Sequence, residues 1–482
     1  MSRLNGAYCL VSREYPPFSG GGIGTYAEAF ARGLAERGDR VVVLTAHADA
    51  AKTDMVETGG EPITVVRMPL QADEAWSAPH PSLRSKRIDR AWHRLGPHSV
   101  FAIQVAQRLP ELHGSHGFAA VEGPDTGAPL HFLLERRRHE RILPGVPIVT
   151  HVHSPSAWIE RLNRTIDPRP VMHELQRMEA AQAHASDAVV TPSHGMSDWI
   201  RAHWNTQSSV LRYPIGRQRL AADPGPGEDV VFVGRLEYRK GIDTLLRAWS
   251  GLEGEHRLHL VGDDCRDERT GSAIGANLLE VMPAGARARV MVHGRLGPER
   301  VAAMQAGAAV VIVPSPDDNF PYTCIEAMHA GRIVVAADRG GAAEMIEHGT
   351  SGLLFDPGDA EGLAAALRIA LVMHDEQRSA MQRAAIDRIH ALTDGDAAID
   401  ARLAHLATVA TAEPGSGLPR TLDGIVAEEI RQAEARHRNP WRGPDPITGG
   451  PAMRTGLAVR VGAGRTPFIE RVARRVKRTL GG

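Results

Sequence analysis

Arg235 follows an apolar run at 230–233, and Lys240 stands five residues further on, at the mouth of the next amphipathic stretch. Both can converge on one anion at a strand's carboxyl end, the guanidinium as a fork of donors and the ammonium as a mobile point charge. Each charge-assisted bond contributes on the order of 1.5 to 3 kcal/mol, which suits a diphosphate, above all one that gains charge as it leaves. The same pair read alone is also an ordinary surface Arg and Lys, so the later motif must decide. That motif is Asp318-Asn319-Phe320-Pro321-Tyr322-Thr323-Cys324-Ile325-Glu326. Pro321 suits the first position of a helix predicted over 321–330, where its missing amide hydrogen costs nothing. Amides near Tyr322 and Thr323 then offer an anion site at the positive end of the helix. Glu326 lies four residues past Tyr322 and three past Thr323, so its carboxylate projects on their face one turn up and can accept both hydroxyls of a ribose. Asp318 reads either as a helix cap or as a carboxylate facing a cleft.

Five further groups carry chemistry or mimic it. The run 20–24, with Gly21, Gly22 and Gly24, follows the first apolar run and precedes a helix, and glycine permits close backbone approach to a ligand. It does not fit the dinucleotide fingerprint, and the strand region 41–46 that follows carries no acid to take a ribose. His151 and His153 flank Val152 at the end of a predicted strand, facing one side if strand geometry persists. Gly340-Gly341 with Glu344 follow another strand and read as packing before chemistry. Asp263, Asp264 and Asp267 lack a matching ligand set and read as loop acids, and Cys9, Cys265 and Cys324 have neither metal spacing nor numbers for a disulfide framework, which fits a reducing compartment.

The elements that must position these residues alternate. A strand at 7–11, a helix from 26 to 37 and a strand at 41–45 open a series continued by strands at 63–67, 119–122, 147–151 and 188–191. After the Pro- and Gly-rich break 218–228 come strands at 230–233, 256–261, 289–293, 309–314 and 333–337, with helices at 242–250, 298–306 and 321–330. Alternation of this kind predicts an α/β protein with two doubly wound parallel sheets, and ligands bind beyond the carboxyl ends of such strands. We therefore expect a first domain over 1–217, a linker over 218–228, a second domain over 229–410 and a tail over 411–482. Helices are expected from 360 to 372 and from 376 to 406, then near 422–437 and 467–480 in a tail with little core-building content. A chain of 482 residues exceeds what one core supports, and 43% hydrophobic with 23% charged residues is ordinary for a globular protein. A net charge of -1 supplies no field for attracting nucleic acid, and the apolar run 7–11 is too short for a signal peptide. No run reaches the ~18 apolar residues of a spanning helix, so the expected location is cytoplasmic. The basic residues around Ile469, Val472, Val476 and Leu480 suit weak contact with the inner face of an anionic membrane, or equally a solvated tail.

From about residue 7 to 406 the chain resembles glycosyltransferase family 4. The resemblance rests on Val231-Phe232-Val233-Gly234-Arg235-Leu236, Lys240-Gly241, Val313-Pro314-Ser315, Asp318 to Pro321, Glu326-Ala327-Met328, Gly340-Gly341, Glu344 and 349–355, in family order and spacing. It implies the GT-B architecture, two Rossmann-like domains facing a central cleft, here with a C-terminal helical extension. It also implies transfer from a nucleotide diphosphate sugar with retention of configuration, by a front-face mechanism and without a bound metal or other cofactor. Arg235 and Lys240 would hold the donor phosphates, approached by the loop of Gly21, Gly22 and Gly24; Asn319, Phe320, Pro321, Tyr322, Thr323 and Glu326 would line the donor site, Glu326 on the ribose. The family pattern has two glutamates separated by seven residues, the first on the sugar hydroxyls; here Asp318 takes that place, one methylene shorter. His153, followed by Ser154, matches a histidine near the reacting sugar, with His151 second, and Gly341 and Glu344 match the segment beside the phosphates. The acceptor would be a glycan, a lipid-linked sugar or a small molecule. Two rival readings are a nucleotide-sugar epimerase or sugar phosphorylase on the same architecture, and a non-catalytic nucleotide-sugar or glycan binder. The second is motivated by Asp318 and by the lack of the family's Asn-Gly near 213–216.

Overall fold

The computed structural model describes residues 4–17, 21–47, 55–58, 62–70, 78–79, 81–165, 167, 169–215, 227–267, 270–411 and 421–438. Gly20, Gly216, the linker positions 218–226 and the expected helix at 467–480 lie outside them.

The first sheet contains β1 (Ala7–Val11), β2 (Val41–His47), β3 (Met55–Thr58), β4 (Ile63–Pro69), β5 (Phe118–Pro124), β6 (Ile148–His151), β7 (Ala188–Thr191) and β8 (Ser209–Val210). Their order is β3-β4-β2-β1-β5-β6-β7-β8, parallel except for β3 against β4. The second contains β9 (Asp229–Val233), β10 (Leu258–Val261), β11 (Val290–Gly294), β12 (Ala308–Val313), β13 (Ile333–Ala337) and β14 (Leu353–Phe355), ordered β11-β10-β9-β12-β13-β14 and all parallel. The two doubly wound sheets expected from the sequence are thus present. The strand β12, Ala-Ala-Val-Val-Ile-Val, is buried at every position because helices cover both faces. In each sheet the chain reverses direction of winding between two neighbours, β1 and β5 in the first and β9 and β12 in the second, and an open sheet binds ligand in the crevice at such a point.

Four expectations need correction. The antiparallel β3 and the two-residue β8 had no period-2 pattern long enough to announce them. The glycine run is not a loop before a helix: the helix Gly22–Glu36 begins inside it, with Gly21 as its N-cap. The single helix expected at 376–406 is two, Asp375–Leu392 and Gly395–Thr408, because the Asp394 side chain accepts from Ala397 N at 2.8 Å and starts a new helix. The break turns the chain back to the first domain, where Ile399 and Leu406 are buried beside the helix Gly22–Glu36. Finally, the tail helix Leu422–Arg438 does build core. Ile425, Val426, Ile430 and Ala433 lie in the first domain's hydrophobic cluster with Trp92, Phe101 and Phe132. Ion pairs from Arg177 to Glu429 and from Arg436 to Glu174 flank that contact.

Candidate functional site

Beyond β9, Gly234 leads to Arg235, whose side chain is half exposed and pairs with Glu237 at 3.1 Å. A single helical turn, Tyr238–Lys240, then brings Lys240 back over the strand ends. Gly241 closes that turn at φ +72°, and a Cβ there would lie 2.0 Å from Pro314 O, so only glycine lets the Lys240 turn press against the end of β12. The two strands at the reversal point of the second sheet therefore present their chemistry together. Lys240 Nζ donates to Asp318 Oδ2 at 2.5 Å, and Ser315 Oγ donates to the same oxygen at 3.2 Å. Burial would raise the Asp318 carboxyl, yet the positive charges of Lys240 and Arg239 hold it below its usual value; burial lowers the Lys240 ammonium against the pull of Asp318. Asp318 is thus no helix cap. It is the partner of the very lysine expected to hold phosphate.

The next helix is Tyr322–His329, and Pro321 is its N-cap rather than its first residue, extended at φ -68°, ψ 121°. The Pro321 carbonyl takes the first helical bonds, from Cys324 and Ile325, so the amides of Tyr322 and Thr323 lie ahead of them at the positive end. Thr323 Oγ1 donates to Val233 O at 3.3 Å and ties this end to β9. Glu326 sits one turn up, half-buried. Facing it from the first domain is the start of the helix Gly22–Glu36: a Cβ on Gly22 would lie 3.7 Å from the Tyr322 ring. Gly24 packs on Glu14, where a Cβ would meet the carbonyl oxygen at 3.2 Å. Two helix N-termini thus lie together near Lys240 at the end of β9, from which Arg235 extends, an arrangement suited to a multiply charged anion.

Other expected site residues also join the two domains. Asn319 Nδ2 donates to Val152 O at 3.1 Å and His153 O at 2.9 Å, while Ser193 Oγ donates to its Oδ1 at 2.5 Å. Phe320 is buried, edge-on to Tyr213 at 5.6 Å with the Arg212 guanidinium 5.0 Å from its ring. Glu344 accepts from Gly195 N at 3.0 Å and pairs with Arg212 at 2.8 Å. Gly341 packs against the Asp318–Asn319 backbone, where a Cβ would meet Asn319 O at 1.8 Å, and its amide donates to Asp318 O at 2.7 Å. Packing is therefore what Gly340-Gly341 do, and they shape the Asp318 loop by doing it.

His151 and His153 end on the same side of β6, their rings stacked 4.1 Å apart. His153 Nδ1 bonds to Tyr213 OH at 2.8 Å, and its amide donates to Asp125 Oδ1 at 2.7 Å. Burial lowers both imidazoles, His151 to about 4, so both are neutral near pH 7. Beneath them lies a group that the sequence reading passed over: Glu122, Tyr8, Tyr26 and Arg402. Glu122 had a visible signal, a charged residue ending an apolar strand; Arg402, on a helix that crosses from the other domain, had none. Asp263 pairs with Arg295 at 2.5 Å and Asp264 accepts from Gly275 N at 2.7 Å, which accounts for two of the three loop acids. Among the described residues no group of three His, Cys, Asp or Glu is arranged to hold a metal ion, and no helix is long and apolar enough to cross a membrane.

Comparison with known proteins assigns this arrangement. Residues 20–213 match the family model Glycosyltransferase Family 4, and residues 227–372 match Glycosyl transferases group 1, so together the two span most of the chain. The glycogen synthase of Mycobacterium tuberculosis (strain ATCC 25618 / H37Rv) is 27% identical over 411 residues, covering 80% of this chain and 90% of that protein. Among solved structures, sucrose-phosphate synthase from Thermosynechococcus elongatus superposes with a TM-score of 0.64 at 21% identity, over 83% of this chain and 98% of that one. Anabaena Alr3699/HepE, solved in complex with UDP and glucose, gives 0.58 at 17% identity, over 84% and 100%.

Proposed function

We propose, for a chain that belongs to glycosyltransferase family 4 and has the GT-B fold, that it transfers a hexose from a nucleoside diphosphate donor to a hydroxyl-bearing acceptor with retention of configuration. The observation that carries this reading is the meeting of Lys240 with two helix N-termini at the reversal point of the second sheet, with Arg235 extending from the adjoining end of β9. The donor diphosphate lies against those groups, and Glu326 takes the ribose hydroxyls. As the bond from the anomeric carbon to the diphosphate oxygen breaks, the new negative charge forms where Arg235, Lys240 and the amides stand, so they stabilise the transition state more than the bound donor. The acceptor oxygen then bonds the anomeric carbon on the same face, and its proton passes to the departing diphosphate. Asp318, with Oδ2 held by Lys240 and Ser315, offers Oδ1 to a sugar hydroxyl. His153 stands near the sugar as a neutral hydrogen-bonding group.

This chemistry neutralises the leaving group with side chains and helix ends, and so runs without a metal. The test is full transfer activity in excess chelator, and loss of activity restored by a divalent cation would overturn that part. A thermal-shift screen against UDP-, GDP- and ADP-hexoses identifies the donor, since a ligand bound only by the folded state raises the melting temperature with concentration. Stabilisation by one donor, then its turnover with an acceptor panel, supports the transferase. Epimerisation of the donor, or binding without turnover across the panel, would support one of the two rival readings instead.

A further inference from the structure

The Arg402 and Glu122 side chains are each 2% exposed and pair at 3.0 Å, although 280 positions separate them. Arg402 belongs to the helix Gly395–Thr408, the segment that returns to the first domain after the break at Asp394. Glu122 ends up saturated. Its Oε1 accepts from Tyr26 OH at 2.6 Å and from His151 Nδ1 at 3.0 Å; its Oε2 accepts from Tyr8 OH at 2.6 Å and from Arg402 Nη1 at 3.0 Å. A carboxylate beside a guanidinium only accepts, so His151 Nδ1 carries the ring proton and Nε2 keeps the lone pair. Arg402 Nη2 also approaches that Nδ1, at 3.4 Å, but a bare nitrogen there would set two acceptors against each other at the shorter contact with Glu122. His151 Nε2 has no hydrogen-bond partner among the described residues, and the His151 ring lines a small cavity with Ser12, Ile23, Pro124 and His153.

From His151 the contacts run toward the proposed donor site. The His151 ring stacks on His153, His153 Nδ1 bonds to Tyr213 OH at 2.8 Å, and Tyr213 stacks on Tyr322 at 5.3 Å and 13°. Tyr322 opens the helix whose first amides face the donor.

We propose that Arg402 is a positioning residue of the transfer site: bound to Glu122, it holds His151 in its Nδ1–H form and, through the stacked His153 and Tyr213, sets Tyr322 at the start of the donor helix. The inference rests on the transferase reading for its effect on turnover. A guanidinium is needed because one planar fork reaches both Glu122 and, at 3.3 Å, Tyr26 OH, which a lysine's point charge cannot do from one position.

The test uses full-length R402M, R402K and the double variant E122Q/R402M, the last carrying no unpaired buried charge should R402M fail to fold. Ring-nitrogen spectra of His151 are recorded on ligand-free protein, with kcat and donor KM measured at a temperature well below each melting point. We expect R402M and the double variant to lose the single Nδ1–H signature of His151 and at least tenfold in kcat, with donor KM changing less than threefold. R402K, which can meet Glu122 but not Tyr26 at the same time, is expected to keep the signature in part and to recover only part of kcat. An unchanged signature with kcat within twofold of wild type in a folded variant overturns the proposal. So does activity that tracks the melting temperature alone and returns in the double variant with His151 unchanged. Failure of the wild type to turn over any donor would remove the transferase reading, whereas the ligand-free spectra still decide whether Arg402 sets His151.

Discussion

Replacing Lys240 by methionine keeps the length and most of the volume of the side chain while removing its charge, with two separate losses. The donor diphosphate loses a charge-assisted hydrogen bond, at about 1.5 to 3 kcal/mol, or roughly tenfold to 150-fold in Kd. Asp318 loses the partner 2.5 Å from its Oδ2, and Arg239 and Ser315 compensate only in part. Breaking a fully buried pair costs about 3 to 5 kcal/mol, but the Lys240 side chain is 22% exposed, so water softens this and the stability loss falls at or below the foot of that range. The Asp318 carboxyl also rises, since burial, the largest influence on it, then acts with less opposition. Calorimetry of the donor against K240M and against K240M/D318N separates the losses: the double variant is expected to regain stability while donor affinity stays at least tenfold below wild type. Donor affinity within twofold of wild type in folded K240M would refute the assignment of Lys240 to the phosphate.

E326A is expected to weaken donor binding by at least tenfold while leaving free phosphate or diphosphate binding nearly unchanged, as calorimetry with nucleoside diphosphate against diphosphate would show. N319A removes bonds to Val152 O, His153 O and Ser193 Oγ; at about 0.5 to 1.5 kcal/mol each, it should lower the closure free energy of the domains by roughly 1.5 to 4.5 kcal/mol, seen as a larger radius of gyration by small-angle scattering. Ending the chain at residue 411 deletes the tail helix and exposes a core facing Ile425, Val426 and Ile430; at about 1.5 to 3 kcal/mol per large side chain, the first domain should lose several kcal/mol or aggregate, read by denaturant melts. Glu179, raised to about 8 by burial and by Asp125, keeps its proton in the folded state where the unfolded chain releases it. Glu179 should therefore make stability fall as pH rises from about 4.5 to about 8, by at most ~1.4 kcal/mol per unit from this one group, and E179Q should remove that share of the slope while Asp125, raised to about 6 by burial, keeps its own.

Much of this site could be read from the order of residue types. Val-rich runs ending in Gly234-Arg235 and in Val313-Pro314-Ser315 mark strands buried on both faces, and the residues just past a buried parallel strand lie at its carboxyl end. Spacing alone was enough to bring His151 and His153 to one side. The pairing of groups from different parts of the chain was beyond its reach. Lys240 and Asp318 look like separate ligands until the strand order makes β9 and β12 neighbours. Nothing local to Asn319 reveals its bonds to Ser193 and the His153 carbonyl across the cleft. Arg402 lies in a stretch that reads as one long helix, and only the Asp394 cap sends it back to Glu122. The tail helix reads as building little core, because nothing local shows that Ile425, Val426, Ile430 and Ala433 complete the first domain's cluster.

The most direct test of the diphosphate site is a crystal structure with a nucleoside diphosphate bound. The diphosphate is predicted within hydrogen-bond reach of Arg235, Lys240 and the amides of Gly22 and Thr323, with Glu326 on the ribose. A nucleotide bound elsewhere, or a diphosphate with no contact to Lys240 or Arg235, would contradict it.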